Sequence, residues 1–438
     1  MSATPSSLRT FLTIWLGQFG STVGSRMTNF AITLWAWDLT QQATALALVG
    51  FFTQLSQLLI TPFAGVIVDR CSRKQLMMVG DAVAALSSVV LLWLHTSNQL
   101  EIWHLYAAGA VNGIFSQCQG LAYTASMSLM VPQRHYSRAL SLNFLSGYGS
   151  GIWGPAIAGA LYPLVGLTGI LLVDLGTFAI AVLTILFATI PQPQTPATPL
   201  AFRKDLIVGF RYLFQRPGLL GILVTAALFQ FAFQVTAALH APLILARSEG
   251  SAQILATVYA TSGLGGVMGA ILIAIRGGPR SRIHGILLGM IGAGLSRAGF
   301  SCGQSLALWL PMQFGLAFSF PLMGSSGNAI WLSKVPPDLQ GRVFSISVLL
   351  KGLMSPLGRL VAGPLADRMF EPAMMPDGWL TPLFGPLFGT GPGAGMAVLC
   401  GFAAVAMILV GLGGYFYYPL RTVESALPDN AVTIDKSD

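Results

Sequence analysis

Charge is what this sequence has least of. Only 9% of its 438 residues are Asp, Glu, Lys or Arg, where soluble domains carry about 25%. A water-facing surface cannot be built on so few charges, which excludes a soluble protein. The gaps between charges reach membrane-spanning length, since 102–133, 139–173, 217–246 and 298–333 hold none. A bilayer core about 30 Å thick needs about 20 mostly apolar helical residues, so the chain reads as an all-α, polytopic membrane protein. Cysteine is scarce as well: Cys71, Cys118, Cys302 and Cys400 stand far apart with no metal-ligand spacing, so neither a metal site nor a disulfide framework is expected. No D-D-x-x-D, H-E-x-x-H, G-x-S-x-G or G-x-x-x-x-G-K-[ST] string occurs, which argues against an enzyme and against a cofactor. The net charge of +8 has no soluble basic face to sit on, which excludes a nucleic-acid partner.

What is present is apolar: 54% hydrophobic residues, with 50 glycines and 25 prolines, two residues commoner in membrane helices than in soluble ones. Apolar runs between charged or Pro/Gly-rich breaks give twelve transmembrane helices, starting near residues 10, 44, 77, 103, 139, 168, 218, 254, 284, 305, 343 and 393. The short polar start MSATPSSLRT precedes an apolar stretch longer than a signal-peptide core, so a retained first span is expected. With that start inside, one set of connections holds Arg70, Arg73, Lys74, Arg134, Arg138, Arg203, Lys204, Arg211, Arg216, Arg276, Arg280, Arg282, Lys334 and Arg342, and the other only Arg247 and Arg368. The positive-inside rule then puts both termini in the cytoplasm.

The middle connection begins PQPQTPATP and continues FRKDLIVGFRYLFQRPG. A Pro-rich linker followed by a basic amphipathic helix on the anionic leaflet is expected there. It divides the chain into a six-helix bundle at 1–190, a linker at 191–217, a second six-helix bundle at 218–420 and a cytoplasmic tail at 421–438. The Pro- and Gly-rich segment from Asp367 reads as an ordered outside loop and partial lid. The halves also repeat. Val131-Pro132 matches Val335-Pro336, Gly154 and Gly159 match Gly358 and Gly363, and Gly65 matches Gly269, all at an offset of 204. Duplicated six-helix units are a known transporter plan with the site between the halves.

Gly65-Val-Ile-Val-Asp69-Arg70-Cys-Ser-Arg73-Lys74 follows G-x-x-x-D-R-x-x-R-K, which resembles the loop signature of the major facilitator superfamily. Gly65 allows close helix approach, and Asp69 can cap a neighbouring helix and hold the cytoplasmic side shut in one state. The plain alternative is a solvated loop that sets topology. Ser150-Gly-Ile-Trp-Gly154-Pro155-Ala-Ile-Ala158-Gly159 looks like the superfamily's antiporter signature with two departures, Ser150 and Ala158 standing where it has glycine; small-residue packing and a proline bend explain it equally well. LTIWLGQFGSTVGSRMTNFAI, Asp174-Leu-Gly-Thr-Phe178, SKVPPDLQGRVFSI and VAGPLADRMFEPAMMPDG extend the likeness from about residue 8 to about residue 420. Together they are similar to the macrolide-efflux and enterobactin-exporter-like branch. That resemblance implies a two-bundle fold, a cavity lined by spans one, four, seven and ten, alternating access and proton-driven export.

Span one carries Gln18, Thr22, Ser25, Arg26, Asn29 and Thr33 as one polar stripe, which should face water or ligand. Span four adds Asn112, Ser116, Gln119 and Tyr123, and span seven adds Gln230 and Gln234; both sets suit a cavity or bonds between helices. Arg26 is the leading substrate residue, because a mid-span charge costs roughly 3 kcal/mol unless solvated or paired; the alternative is a salt bridge to a buried carboxylate. Lys351 and Arg359 in span eleven serve the cavity or the packing. Proton coupling needs a carboxyl that gains and loses a proton, and Asp38 and Asp174 are the candidates: Asp38 is on a cavity helix, whereas Asp174 is on a span expected to be peripheral, where a structural ion pair or cap is favoured over proton carriage. No histidine is expected at mid-membrane, His240 ending span seven. An excess of cations in the cavity suits an amphiphile bearing a carboxylate or another anion. The expectation is an exporter of small amphiphiles in the cell's inner membrane, with substrate, protons and lipid as its partners and a monomer as its state. An importer on the same fold and a non-transporting receptor are the rivals.

Overall fold

The computed structural model describes residues 8–132, 135–188 and 202–426. The Pro-rich linker at 191–201, Arg134 and the tail beyond 426 lie outside the described residues. Among the described residues there is no strand. The helices are α1 (Leu8–Thr40), α2 (Ala43–Arg70), α3 (Arg73–Thr96), α4 (Ile102–Met130), α5 (Tyr136–Phe187), α6 (Phe202–Phe214), α7 (Pro217–Arg247), α8 (Ala252–Arg276), α9 (Arg282–Cys302), α10 (Leu306–Lys334) and α11 (Pro337–Leu365). A π-helical turn (Ala366–Phe370) and the short α12 (Glu371–Ala373) and α13 (Thr381–Phe388) lead into α14 (Ala394–Phe416). Helix starts follow local chemistry: Ser72 accepts from the Gln75 N–H at 3.4 Å and Ser251 from the Ile254 N–H at 3.3 Å, each satisfying a donor that the first turn leaves over. Gly166, at φ 60°, breaks α5 into two arms, a backbone turn that glycine adopts without steric cost.

Among the described residues, nine helices are long and apolar enough to cross a membrane, α5 counting as one. Helices α1 and α4 have the length but are not among the nine, and they are the two that carry the polar stripes. The repeat appears in the geometry. Helices α4 and α10 have bounds 204 residues apart. Val131 (φ −97°, ψ 127°) and Val335 (φ −103°, ψ 125°) end them alike, donating to the carbonyls of Met127 and Trp331.

The packing is reciprocal. Helix α5 packs on α1 and α8, and α11 packs on α7 and α2. A side chain at Gly159 would overlap Ala256 of α8, and one at Gly363 would come within 2.5 Å of the Thr44 Cα of α2. Where α1 finishes, one apolar core takes in both halves, including Leu34, Ala47, Leu171, Leu239, Leu255 and Ala362. Where α1 begins, the cores are separate: Phe11, Ile14, Met77 and Met130 on one side, Leu219, Leu287, Ile330 and Val343 on the other. The molecule is therefore sealed at one end, here called the closed end, and parted at the other, the open end.

Two expectations need correcting. Helix α6 does not rest on lipid alone, because Tyr212 and Leu213 are buried and Gly209 faces Arg342 of α11, while Ile207, Phe210 and Phe214 stay exposed. The segment after Asp367 is mostly helical rather than a plain loop, and it is fastened to the protein. Asp367 accepts from the N–H groups of Ala43 and Thr44, and Glu371 from those of Gly393 and Met396, so two carboxylates cap the starts of α2 and α14.

Candidate substrate cavity

The stripe on α1 faces a cavity of about 640 Å³ walled by α1 to α5, lined by Gln18, Thr22, Ser25, Arg26 and Asn29. That size fits a small-molecule ligand. Several stripe groups are satisfied within the helix: Thr22 donates to the Gln18 carbonyl at 2.7 Å, Asn29 to that of Ser25 at 2.8 Å and Thr33 to that of Asn29 at 2.8 Å. Arg26 is exposed to the cavity, and among the described residues no carboxylate pairs with it. With Asn29 and Thr33 it also lines a second cavity of about 480 Å³ between the bundles, shared with Tyr148 and Pro155 of α5, Tyr259 of α8 and Phe320 of α10.

One buried carboxylate of this cavity was missed in the sequence. Asp81 of α3 is 2% exposed and accepts from Gln18 Nε2 at 2.8 Å and Gln119 Nε2 at 2.7 Å. The available signal was Gly80-Asp81 inside an apolar run: a side chain at Gly80 would meet Gln119 at 2.6 Å. Asp174, expected on a peripheral helix, lines the same cavity. Its Oδ2 accepts from Thr28 at 2.7 Å and Ser88 at 3.2 Å, while Oδ1 is buried without a partner. Asp38 is not in this cavity. It is exposed at the closed end, in a pocket of about 550 Å³ with Glu249, Asp367 and Glu371.

Tyr123 donates to Asn143 Oδ1 at 3.1 Å and Asn112 accepts from Ser87 at 3.2 Å, and all four residues line the larger cavity. Gln230 and Gln234 do not line it. Both donate to Ser355 Oγ at 3.1 Å, so they join α7 to α11, and α7 lines neither of these two cavities. The wall implied by the resemblance, spans one, four, seven and ten, is replaced by α1 to α5 with α8 and α10. Lys351 and Arg359 are half-buried on α11 and line neither cavity. His240, expected merely to end span seven, is 6% exposed, and its Nδ1 lies 3.0 Å from Nη1 of Arg297, a buried cation that the sequence reading overlooked.

At the open end, Asp69 and Arg70 are exposed, and nothing lies within 4 Å of where a Gly65 side chain would start. Arg73 donates to the Ala125 carbonyl at 2.7 Å, and Lys74 to those of Leu186 and Ala188 at 2.7 and 2.9 Å. Lys74 so placed suits the carbonyl-rich end of α5, and Arg73 ties α3 to α4. Gly154 sits directly against Arg26 Cβ, so the close approach of α5 fixes the backbone from which Arg26 projects.

A helical protein of two packed groups, with a polar cavity at membrane depth, is a multi-pass membrane transporter in architecture. The chain belongs to the Major Facilitator Superfamily, whose profile matches residues 14–358. It is similar to macrolide efflux protein A of Streptococcus pyogenes, 24% identical over 363 residues, covering 82% of this chain and 90% of that protein. The enterobactin exporter EntS of Shigella flexneri is 24% identical over 263 residues, covering 60% and 62%. Among solved structures, a bacterial homologue of the human lysosomal transporter Spinster, inward-facing and unoccupied, superposes with a TM-score of 0.73 at 15% identity, over 98% of this chain and 100% of that one.

Proposed function

We propose that this chain is a secondary exporter of small amphiphilic compounds, drugs or siderophore-like metabolites, working by alternating access with proton antiport. The observation that carries the reading is Arg26: a mid-helix cation, without a carboxylate partner, exposed to two cavities at once. The printed activities of the relatives, macrolide efflux and enterobactin export, support the outward direction. In this reading the two bundles at 1–190 and 218–420 supply twelve spans with both termini cytoplasmic, and the monomer works in the inner membrane. The open end then faces the cytoplasm, in keeping with its cations, Arg70, Arg73, Lys74, Arg276, Arg280 and Arg342. Asp174, with Asp81 beside it on the cavity wall, carries the exchanged proton, and Asp69 caps the open end when it closes.

The test is transport by purified protein in liposomes under an imposed pH gradient, with a panel of amphiphiles scored by mass. Wild type moves at least one compound outward in the cellular sense, and Arg26→Ala and Arg26→Gln lose that movement while remaining folded. Uptake in the inward sense makes the protein an importer, and a panel wholly unmoved removes the exporter reading for those compounds.

A further inference from the structure

Three arginines from three helices converge on one tyrosine behind the closed end. Tyr259 of α8 lines the inter-bundle cavity with Arg26, and Arg26, Arg297 of α9 and Arg359 of α11 all lie within its electrostatic reach. Each arginine is fixed by its surroundings. Gly154 holds the backbone of Arg26, and the Arg359 guanidinium fills the space that a side chain at Gly50 of α2 would take. Arg297, 3% exposed, is bonded to His240 and lies 5.4 Å from the Phe300 ring centroid, while the His240 ring is 5.5 Å from that of Tyr259.

These cations lack compensation. Nε of Arg297, Nε of Arg359 and Nε2 of His240 are buried without a hydrogen-bond partner, where buried polar groups are almost always bonded. Among the described residues no carboxylate bonds to any of the three arginines. The acids of the closed end, Asp38, Glu249, Asp367 and Glu371, belong to a separate pocket, and two of them are occupied as helix caps. Asp81 and Asp174 are held by amides and hydroxyls. Positive groups buried without a counter-charge are costly in any protein and more so at membrane depth.

We propose that the wall of the inter-bundle cavity formed by Arg26 and Tyr259, backed by the charge of Arg359 and by the Arg297–His240 pair, is an oxyanion site for the acidic head of the transported amphiphile. Guanidinium forks match planar carboxylates in two-point contact, and a tyrosine hydroxyl adds a donor. The apolar body lies along Phe30, Ala317 and Phe320, which line the same cavity. This inference rests on the transporter reading and deepens it by naming the chemistry of the cargo.

The experiment is equilibrium binding to the purified full chain in detergent, with naphthalene-2-carboxylate, naphthalene-2-carboxamide and inorganic phosphate as probes. The carboxylate binds at least tenfold tighter than the carboxamide. Arg359→Gln and Arg26→Gln erase that preference, while Arg276→Gln, on the exposed end of α8, keeps it. Equal binding of the two naphthyl probes, no binding by the carboxylate, or a preference that survives Arg359→Gln overturns the site. Phosphate binding as tightly as the naphthyl carboxylate makes it an inorganic-anion site and overturns the assignment to cargo. If Arg359→Gln does not fold, the probe comparison on wild type still decides, with Tyr259→Phe expected to weaken the carboxylate alone. A protein that shows the preference but moves nothing in liposomes loses the exporter reading and keeps the site; one that exports without the preference does the reverse.

Discussion

The Asp367 carboxylate reaches across the bundle interface to the backbone of Thr44, whose N–H donates to Oδ2 at 2.7 Å, while the N–H of Ala43 donates to Oδ1 at 3.0 Å. Those N–H groups belong to the first turn of α2, which has no intrahelical partner for them, and a carboxylate there also meets the positive end of the helix dipole. At the opposite end of α2, Asp69 is exposed and, among the described residues, has no bonding partner. One helix thus carries a formed latch at the closed end and an unused acid at the open end.

Asp367→Ala removes the formed latch. A lost helix cap costs about 0.5–2 kcal/mol, so the balance should move toward opening of that end by roughly 2- to 30-fold. Spin labels at Gln41 and Glu249, which both line the closed-end pocket from different halves of the chain, should show a larger population of long distances in the variant. An unchanged distribution would show that Asp367 only caps a helix.

Glycines at the two ends should behave differently. At Gly363 a new side chain meets the backbone of Thr44, whereas Gly65 has open space. Overpacking costs about 1–3 kcal/mol, so Gly363→Val should lower thermal stability and loosen the closed end. Gly65→Ala should leave stability within about 0.5 kcal/mol and still slow turnover, because the end beside it must close once per cycle.

The carboxylates can be separated by mode of transport. Asp174→Asn should abolish movement driven by a pH gradient and retain exchange of labelled for unlabelled substrate, while Asp38→Asn keeps both. Asp81→Ala removes the acceptor of two side-chain amides, a change of about 1–3 kcal/mol, and should lower stability as well as transport.

Ser355→Ala tests the join between α7 and α11. Gln230 and Gln234 lose their shared partner, so a thermal shift corresponding to about 1 kcal/mol is expected, with substrate preference unchanged. Altered preference would return the two glutamines to the cavity wall.

The helix starts were legible because apolar runs and charged breaks are one-dimensional signals, and the repeat was legible because the two halves end α4 and α10 with the same Val-Pro step. Arg26 stood out as a charge on a polar stripe. Partnership was not legible. The spacing of Gln230 and Gln234 suits a cavity or a neighbour equally, and only Ser355, 121 residues beyond Gln234, decides between them. Asp81 was overlooked because α3 begins at Arg73, which carries this acid two turns into the helix rather than leaving it at the edge. The arginine cluster escaped notice because Arg26, Arg297 and Arg359 lie on three separate helices and are related only through Tyr259 of a fourth.

The core that joins both halves at the closed end, set against the separate cores at the open end, also bears on energetics and kinetics. With the proposed orientation, the conformation described has its site facing the cell interior. Cargo arriving from the cytoplasm meets a competent site and gives up no affinity to a prior rearrangement. The work of parting apolar surfaces falls after capture, on the step that releases cargo outside. Saturation measured from the cytoplasmic side should then report intrinsic affinity, and the slow step of the cycle should respond to mutations at the seal rather than in the cavity.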